Sequence, residues 1–221
     1  MVEQRATAKI LEKARAANLI GEQEMRTVLG VFDPEFAFAE ALYDAETIHV
    51  HVKVDDANLV DQEQLCRWGG KLDYAKDGFV KFTFDGGVNL IFSSIDVSED
   101  DLVETPCARR VRPFVDHIGI DMRREADEVR STFDALPAQA EKNGMSHVAQ
   151  GGPNRPVYCC HVEVGRKHWI YPSGTPCAPG IPLEFAFGAL KMNAESSGCD
   201  LRPAQPGTAA SGASAKCDAH G

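Results

Sequence analysis

The sequence predicts an α+β fold: two βαβββ modules forming a cupped mixed sheet, preceded by N-terminal helices and followed by a disordered C-terminal tail. Two observations predict it. Two segments repeat one order of elements, strand, helix, then several strands. Each also opens on a β-branched alternating run that carries histidine, ETIHVHVKV in the first and FVDHIGIDM in the second.

The elements follow in chain order. Residues 1–45 read as a helical segment. Ile10, Leu11, Ala14 and Leu19 fall at roughly helical spacing, and Gly21 punctuates. Pro34 stands ahead of FAFAEALYDA, where Phe38, Ala41, Leu42 and Ala45 form an apolar stripe that must pack against the modules or a second subunit. The first module spans 46–104. After its opening strand, ANLVDQEQLCRW reads as a short helix ending at Gly69-Gly70, and KLDYA, FVKFTF and VNLIFSSI read as strands. Asp85-Gly86-Gly87 marks a hairpin between the last two.

The second module spans 105–188. Ala126, Val129, Phe133, Leu136 and Ala140 step by one helical face. Pro137 interrupts that face, which predicts a kink or an early end, and Asn143-Gly144 stops it. MSHVAQ, PVYCCHVEV, KHWIYP and PLEFAFG then read as strands. The tail, 189–221, is rich in Ala, Gly, Ser and Pro and predicts disorder. Aligning the modules sets His51 over His117 and Asn89 over Glu184.

Composition narrows the function. A net charge of −10 argues against a sequence-independent nucleic-acid binder. Apolar runs fall short of the roughly 20 residues that span a bilayer, and the charged N-terminus does not read as an export signal. The expectation is a cytoplasmic protein whose seven cysteines are mostly reduced thiols, with no CxxC pair for structural zinc.

The paired βαβββ layout, over roughly residues 46–188, resembles the vicinal-oxygen-chelate superfamily, which includes glyoxalase I, extradiol ring-cleaving dioxygenases and organoarsenical carbon–arsenic lyases. The resemblance implies a divalent metal held by a His on the first strand of each module and a Glu on the last strand of the second. Carried over, these fall on His51, His117 and Glu184. Asn89 stands where a fourth ligand would be, which favours an open three-ligand site. Two imidazoles and a carboxylate form the facial triad of non-haem Fe(II) oxygenases. Fe(II) is therefore the expected cofactor, with Mn(II) or another divalent ion as alternatives. His49, two residues from His51, shares its strand face and competes with it as ligand or as a base beside the metal.

The same resemblance assigns proton handling and O₂ steering to His161, His168 and Tyr171. It makes the adjacent Cys159 and Cys160 a candidate site for a thiophilic substrate atom, although vicinal cysteines in a strand ordinarily pack as small core residues. The implied function is an Fe(II)-dependent, O₂-using dioxygenase or lyase acting on a small aromatic or organoarsenical substrate, with a homodimer as a candidate assembly. The alternatives are a metal-dependent isomerase or glutathione transferase, and a non-catalytic ligand-sequestering protein.

Overall fold

The computed structural model describes residues 2–76, 78–94, 113–122, 130–151, 157–159, 162–164, 166–172 and 180–187. Two helices lead the chain, α1 (Gln4–Ala16) and α2 (Glu22–Gly30). Thr7, Ile10, Leu11 and Ala14 bury one stripe of α1, the i, i+3, i+4, i+7 pattern of a helix covering a core. Asn18, at φ 59°, ends α1: the Leu19 N–H returns to the Ala14 carbonyl at 2.9 Å. Residues 34–45 depart from the helix expected of them. A five-residue 3-10 turn, Ala39–Tyr43, replaces it, and strand β1 begins at Ala45. Asp33 accepts the Glu35 N–H on its side chain at 2.8 Å, an Asx turn around Pro34. The apolar stripe is nonetheless covered. Phe38 is fully buried, with its ring 5.4 Å from that of Phe185, and Ala41 and Ala45 are buried beside it.

The first module is β1 (Ala45–Val54), α3 (Gln62–Arg67), β2 (Lys71–Lys76), β3 (Phe79–Phe84) and β4 (Val88–Ser94). Asp61 caps α3 by accepting the Gln64 N–H at 2.8 Å. Gly86 and Gly87 turn β3 into β4 at φ +83° and +75°, a left-handed conformation that favours glycine.

The second module is β5 (Phe114–Met122), α4 (Arg130–Lys142), β6 (Ser146–Gly151), β7 (Val157–Cys159), β8 (Val162–Val164), β9 (Arg166–Tyr171) and β10 (Leu183–Phe187). Of the two outcomes expected at Pro137, a kink or an early end, the early end does not occur: α4 runs on to Lys142, with Leu136 and Ala140 fully buried, so packing outweighs the lost backbone bond. It closes at Gly144 (φ +68°), where the Met145 N–H reaches the Ala140 carbonyl at 2.9 Å. PVYCCHVEV is not one strand: β7 and β8 pair antiparallel as a two-stranded sheet of their own.

The remaining strands form one mixed eight-stranded sheet in the order β2-β3-β4-β1-β5-β10-β9-β6. The modules thus meet along β1 and β5, and each places its last strand beside its first in parallel. Alternation gives this sheet two unlike faces. One carries Ile48, Val50, Val52, Leu90, Phe92, Ile118, Ile120, Phe185 and Phe187, and belongs to the main apolar core. The other carries Thr47, His49, His51, Lys53, Asn89, Ser93, His117, Asp121 and Glu184, and these are buried or nearly so. Among the described residues no helix is long and apolar enough to cross a membrane. The 189–221 tail and the basic run at Arg109, Arg110 and Arg112 lie outside the described residues.

Candidate metal centre

Burying a row of polar and charged side chains costs free energy unless each finds partners. On the polar face they find one another across β1, β5 and β10. His49 Nε2 lies 3.2 Å from His117 Nε2 and 3.4 Å from Glu184 Oε2, and His117 Nε2 lies 3.1 Å from the same oxygen. All three residues are at most 4 % exposed. Their ligand atoms form a triangle that could hold a metal ion. Ligand atoms about 2.1 Å from one ion stand roughly 3.0–3.4 Å apart in adjacent octahedral or tetrahedral positions, so the triangle fits.

Each imidazole is also held from behind. Asp121 lies 3.1 Å from His49 Nδ1 and accepts a 2.6 Å hydrogen bond from the Thr47 hydroxyl. Asp116 lies 2.9 Å from His117 Nδ1. A carboxylate on the far nitrogen fixes ring orientation and raises ligand basicity, as is usual for metal-binding histidines. Neighbours in a regular strand face opposite ways, so Asp116 would not normally reach His117. The register supplies the reason. His51 pairs with His117 and Val52 with Val115, which leaves Asp116 as the extra residue of a β-bulge that re-aims its side chain.

These contacts set the electrostatics. Burial alone would lower the His49 pKa, but the Asp121 and Glu184 carboxylates outweigh it and raise it to about 10. His117 is raised in the same way by Asp116 and Glu184 against its own burial. Asp116 is held below its ordinary range: burial opposes this, but the His117 hydrogen bond and charge, with His51 and Lys53 nearby, prevail.

His51 sits elsewhere on the same face. Its Nε2 is 2.7 Å from Ser93 Oγ, and its ring centroid is 4.7 Å from that of His117 and 5.7 Å from that of Phe79. With Asp116 and His117 it forms a second group of close ligand atoms. The structure therefore joins His117 and Glu184 with His49, not with His51. Asn89 is tied up between hydroxyls: Thr83 Oγ1 lies 2.8 Å from its Oδ1, and its Nδ2 donates to Thr47 Oγ1 at 3.2 Å.

His168 is buried on the opposite face of the sheet from Glu184. It pairs in register with Phe185, its Nδ1 lies 2.7 Å from His147 Nε2, and its ring is 5.6 Å from that of Phe187. Strand alternation keeps it from the triangle. Burial lowers the pKa of its partner His147. Tyr171 shares the face of Trp169, which pairs with Glu184 and sets its ring 5.1 Å from that of His117. Cys160 and His161 lie outside the described residues, as does the side chain of Cys159 at the end of β7.

The residues that reasoning from sequence missed are Asp116, Asp121 and Gly119. Only Gly119 carried a signal: an isolated Gly between two isoleucines of a strand, a pattern that marks a bulge or a close backbone approach.

No family model matches the chain, and no curated protein matches it. Solved structures similar to it include a methylmalonyl-CoA epimerase from Mycobacterium tuberculosis, with TM-score 0.39 and 16% identity over 66% of this chain and 90% of that one. A hypothetical protein from Bacillus halodurans C-125 is similar at TM-score 0.38 and 15% identity, over 64% of this chain and 92% of that one. An extradiol ring-cleaving dioxygenase from B. fuscum is similar at TM-score 0.36 and 12% identity, over 66% of this chain and 34% of that one. Likeness at this level transfers no activity.

Proposed function

We propose that this chain is a metal-dependent enzyme of the vicinal-oxygen-chelate type, with a divalent ion held by His49, His117 and Glu184. One observation carries the reading: two imidazole Nε2 atoms and one carboxylate oxygen converge within 3.4 Å, and each imidazole is backed by its own buried aspartate. The donor set is two neutral nitrogens and one anionic oxygen, which suits Fe(II) first and Mn(II) or another divalent ion next. Such an ion, when bound, supplies open coordination positions and Lewis acidity for a chelating substrate.

The chain's own residues do the rest. Asp121 and Asp116 keep each Nδ1 engaged and each Nε2 aimed at the common point. The buried surroundings exclude water, which strengthens every electrostatic contact there. Phe79 packs edge-on against His51 and Trp169 against His117, which gives the two imidazoles apolar walls. His51, bonded to Ser93, is the acid or base nearest the triangle on β1.

Asn89 favours a dioxygenase or lyase using O₂ over a four-ligand isomerase, because its amide is engaged by Thr83 and Thr47 and leaves three protein ligands. The test is anaerobic purification, reconstitution with Fe(II), Mn(II) or Zn(II), and a screen of catechols for O₂ uptake. One ion per chain and catechol-dependent O₂ uptake support the reading. Metal-dependent turnover without O₂ uptake replaces it with the isomerase. Tight binding of a small molecule by a chain that takes up no metal replaces it with a sequestering protein. For the organoarsenical branch, trivalent arsenicals should quench Trp fluorescence in the wild type and not in Cys159→Ser or Cys160→Ser; no binding in the wild type removes it.

A further inference from the structure

β1 offers two histidines on one face, and only one of them reaches Glu184. Glu184 lies on β10, beyond β5, so a side chain from β1 must cross β5 to meet it. What stands opposite on β5 decides whether it can. His51 faces His117, whose own side chain fills the way, whereas His49 faces Gly119, and Gly119 is in turn the register partner of Glu184. We infer that Gly119 is the positioning residue that makes His49, rather than His51, a ligand of the centre; the inference rests on the reading of that centre given above.

The space is specific. A Cβ on Gly119 would lie 1.9 Å from His49 Cε1, 2.1 Å from Nε2 and 2.3 Å from Nδ1, so a methyl group and the ring cannot occupy the site together. Small ring movements do not relieve this, because Asp121 holds Nδ1 while Nε2 meets His117 and Glu184. The backbone does not otherwise ask for glycine: Gly119 has none of the positive φ of Gly86 or Gly144, and sits in a strand between Ile118 and Ile120. Glycine weakens a strand interior and is characteristic of places where another group approaches the backbone closely. Here that group is the His49 ring.

The test uses the full chain as wild type, Gly119→Ala, His49→Ala and the double variant. Co(II) and Zn(II) affinities are measured for each, with the thermal midpoint of the metal-free forms. Gly119→Ala should weaken metal binding by about 100-fold or more, the upper range for losing the support of a ligand. It should lower the midpoint in the wild-type background. In the His49→Ala background the same change should leave the midpoint level or raise it, because the methyl takes the space the ring left and alanine restricts the unfolded chain more than glycine. Equal metal affinity in Gly119→Ala and wild type overturns the inference, as does the same midpoint loss in both backgrounds. Should Gly119→Ala fail to fold, a folded double variant supports the inference and an unfolded one overturns it. Metal binding that survives His49→Ala overturns the centre and the inference together; metal binding that survives Gly119→Ala alone overturns only the inference.

Discussion

Metal binding to this chain should release protons, and its pH dependence should run opposite to the stability of the metal-free protein. His49 keeps its proton up to about pH 10 when no metal is present. At pH 7 an incoming ion must displace a proton held about three units above ambient, which costs roughly 4 kcal/mol, or about a thousandfold in affinity. Affinity should therefore rise about tenfold per pH unit between pH 6.5 and 9, more steeply if His117 releases a proton as well. The metal-free protein behaves in reverse. The folded pKa of His49 lies above its unfolded value of 6.5, so the stability it contributes is fully present below pH 6.5 and is lost as pH rises through about 10. Calorimetric titration with Zn(II) or Mn(II) in buffers of different ionisation enthalpy counts the released protons, and urea unfolding of the metal-free protein from pH 6 to 10 gives the stability arm. Affinity that is flat with pH, or a metal-free protein that gains stability toward pH 10 in a His49-dependent way, would show that the carboxylates do not hold a proton on His49.

Other outcomes follow from the same contacts. Asp121→Asn and Asp116→Asn should each weaken metal affinity by about 10- to 100-fold while leaving the fold intact, checked by metal titration and circular dichroism. His168→Ala should cost stability, because it removes a buried ring from the apolar face, and should leave metal content at wild-type level in elemental analysis. Phe38→Ala should cost about 3–5 kcal/mol in urea unfolding with the metal retained, since its ring is fully buried against Phe185. Removing residues 1–45 takes away this cover and the Glu24 carboxylate that accepts the Val115 N–H at 2.8 Å, so the truncated chain should aggregate on size-exclusion chromatography.

The two modules were legible in the sequence because alternation and turn glycines speak locally: FVDHIGIDM is β5 end to end, and Asp85-Gly86-Gly87 turns β3 into β4. The face of the site was legible for the same reason, since His49 and His51 share one parity. Which of them meets Glu184 was not, because that depends on the residue opposite each on another strand, and strand register is not written in either strand alone. The bulge at Asp116 is hidden likewise; it is a mismatch between β1 and β5 and has no signature in VDHI by itself. Local pattern also misled. The stripe of FAFAEALYDA is apolar at helical spacing, yet the segment is a 3-10 turn, since burial of Phe38 and Ala41 needs a covered surface rather than a full helix. In PVYCCHVEV a β-rich run long enough for one strand is divided between two.

The proposed centre places the metal on His49, His117 and Glu184. Metal content per chain, measured by elemental analysis after anaerobic reconstitution with Fe(II) or Mn(II), tests it on the pair His49→Ala and His51→Ala. The expected result is about one ion per chain in the wild type and in His51→Ala, and little or none in His49→Ala. An ion retained in His49→Ala and lost in His51→Ala would contradict it.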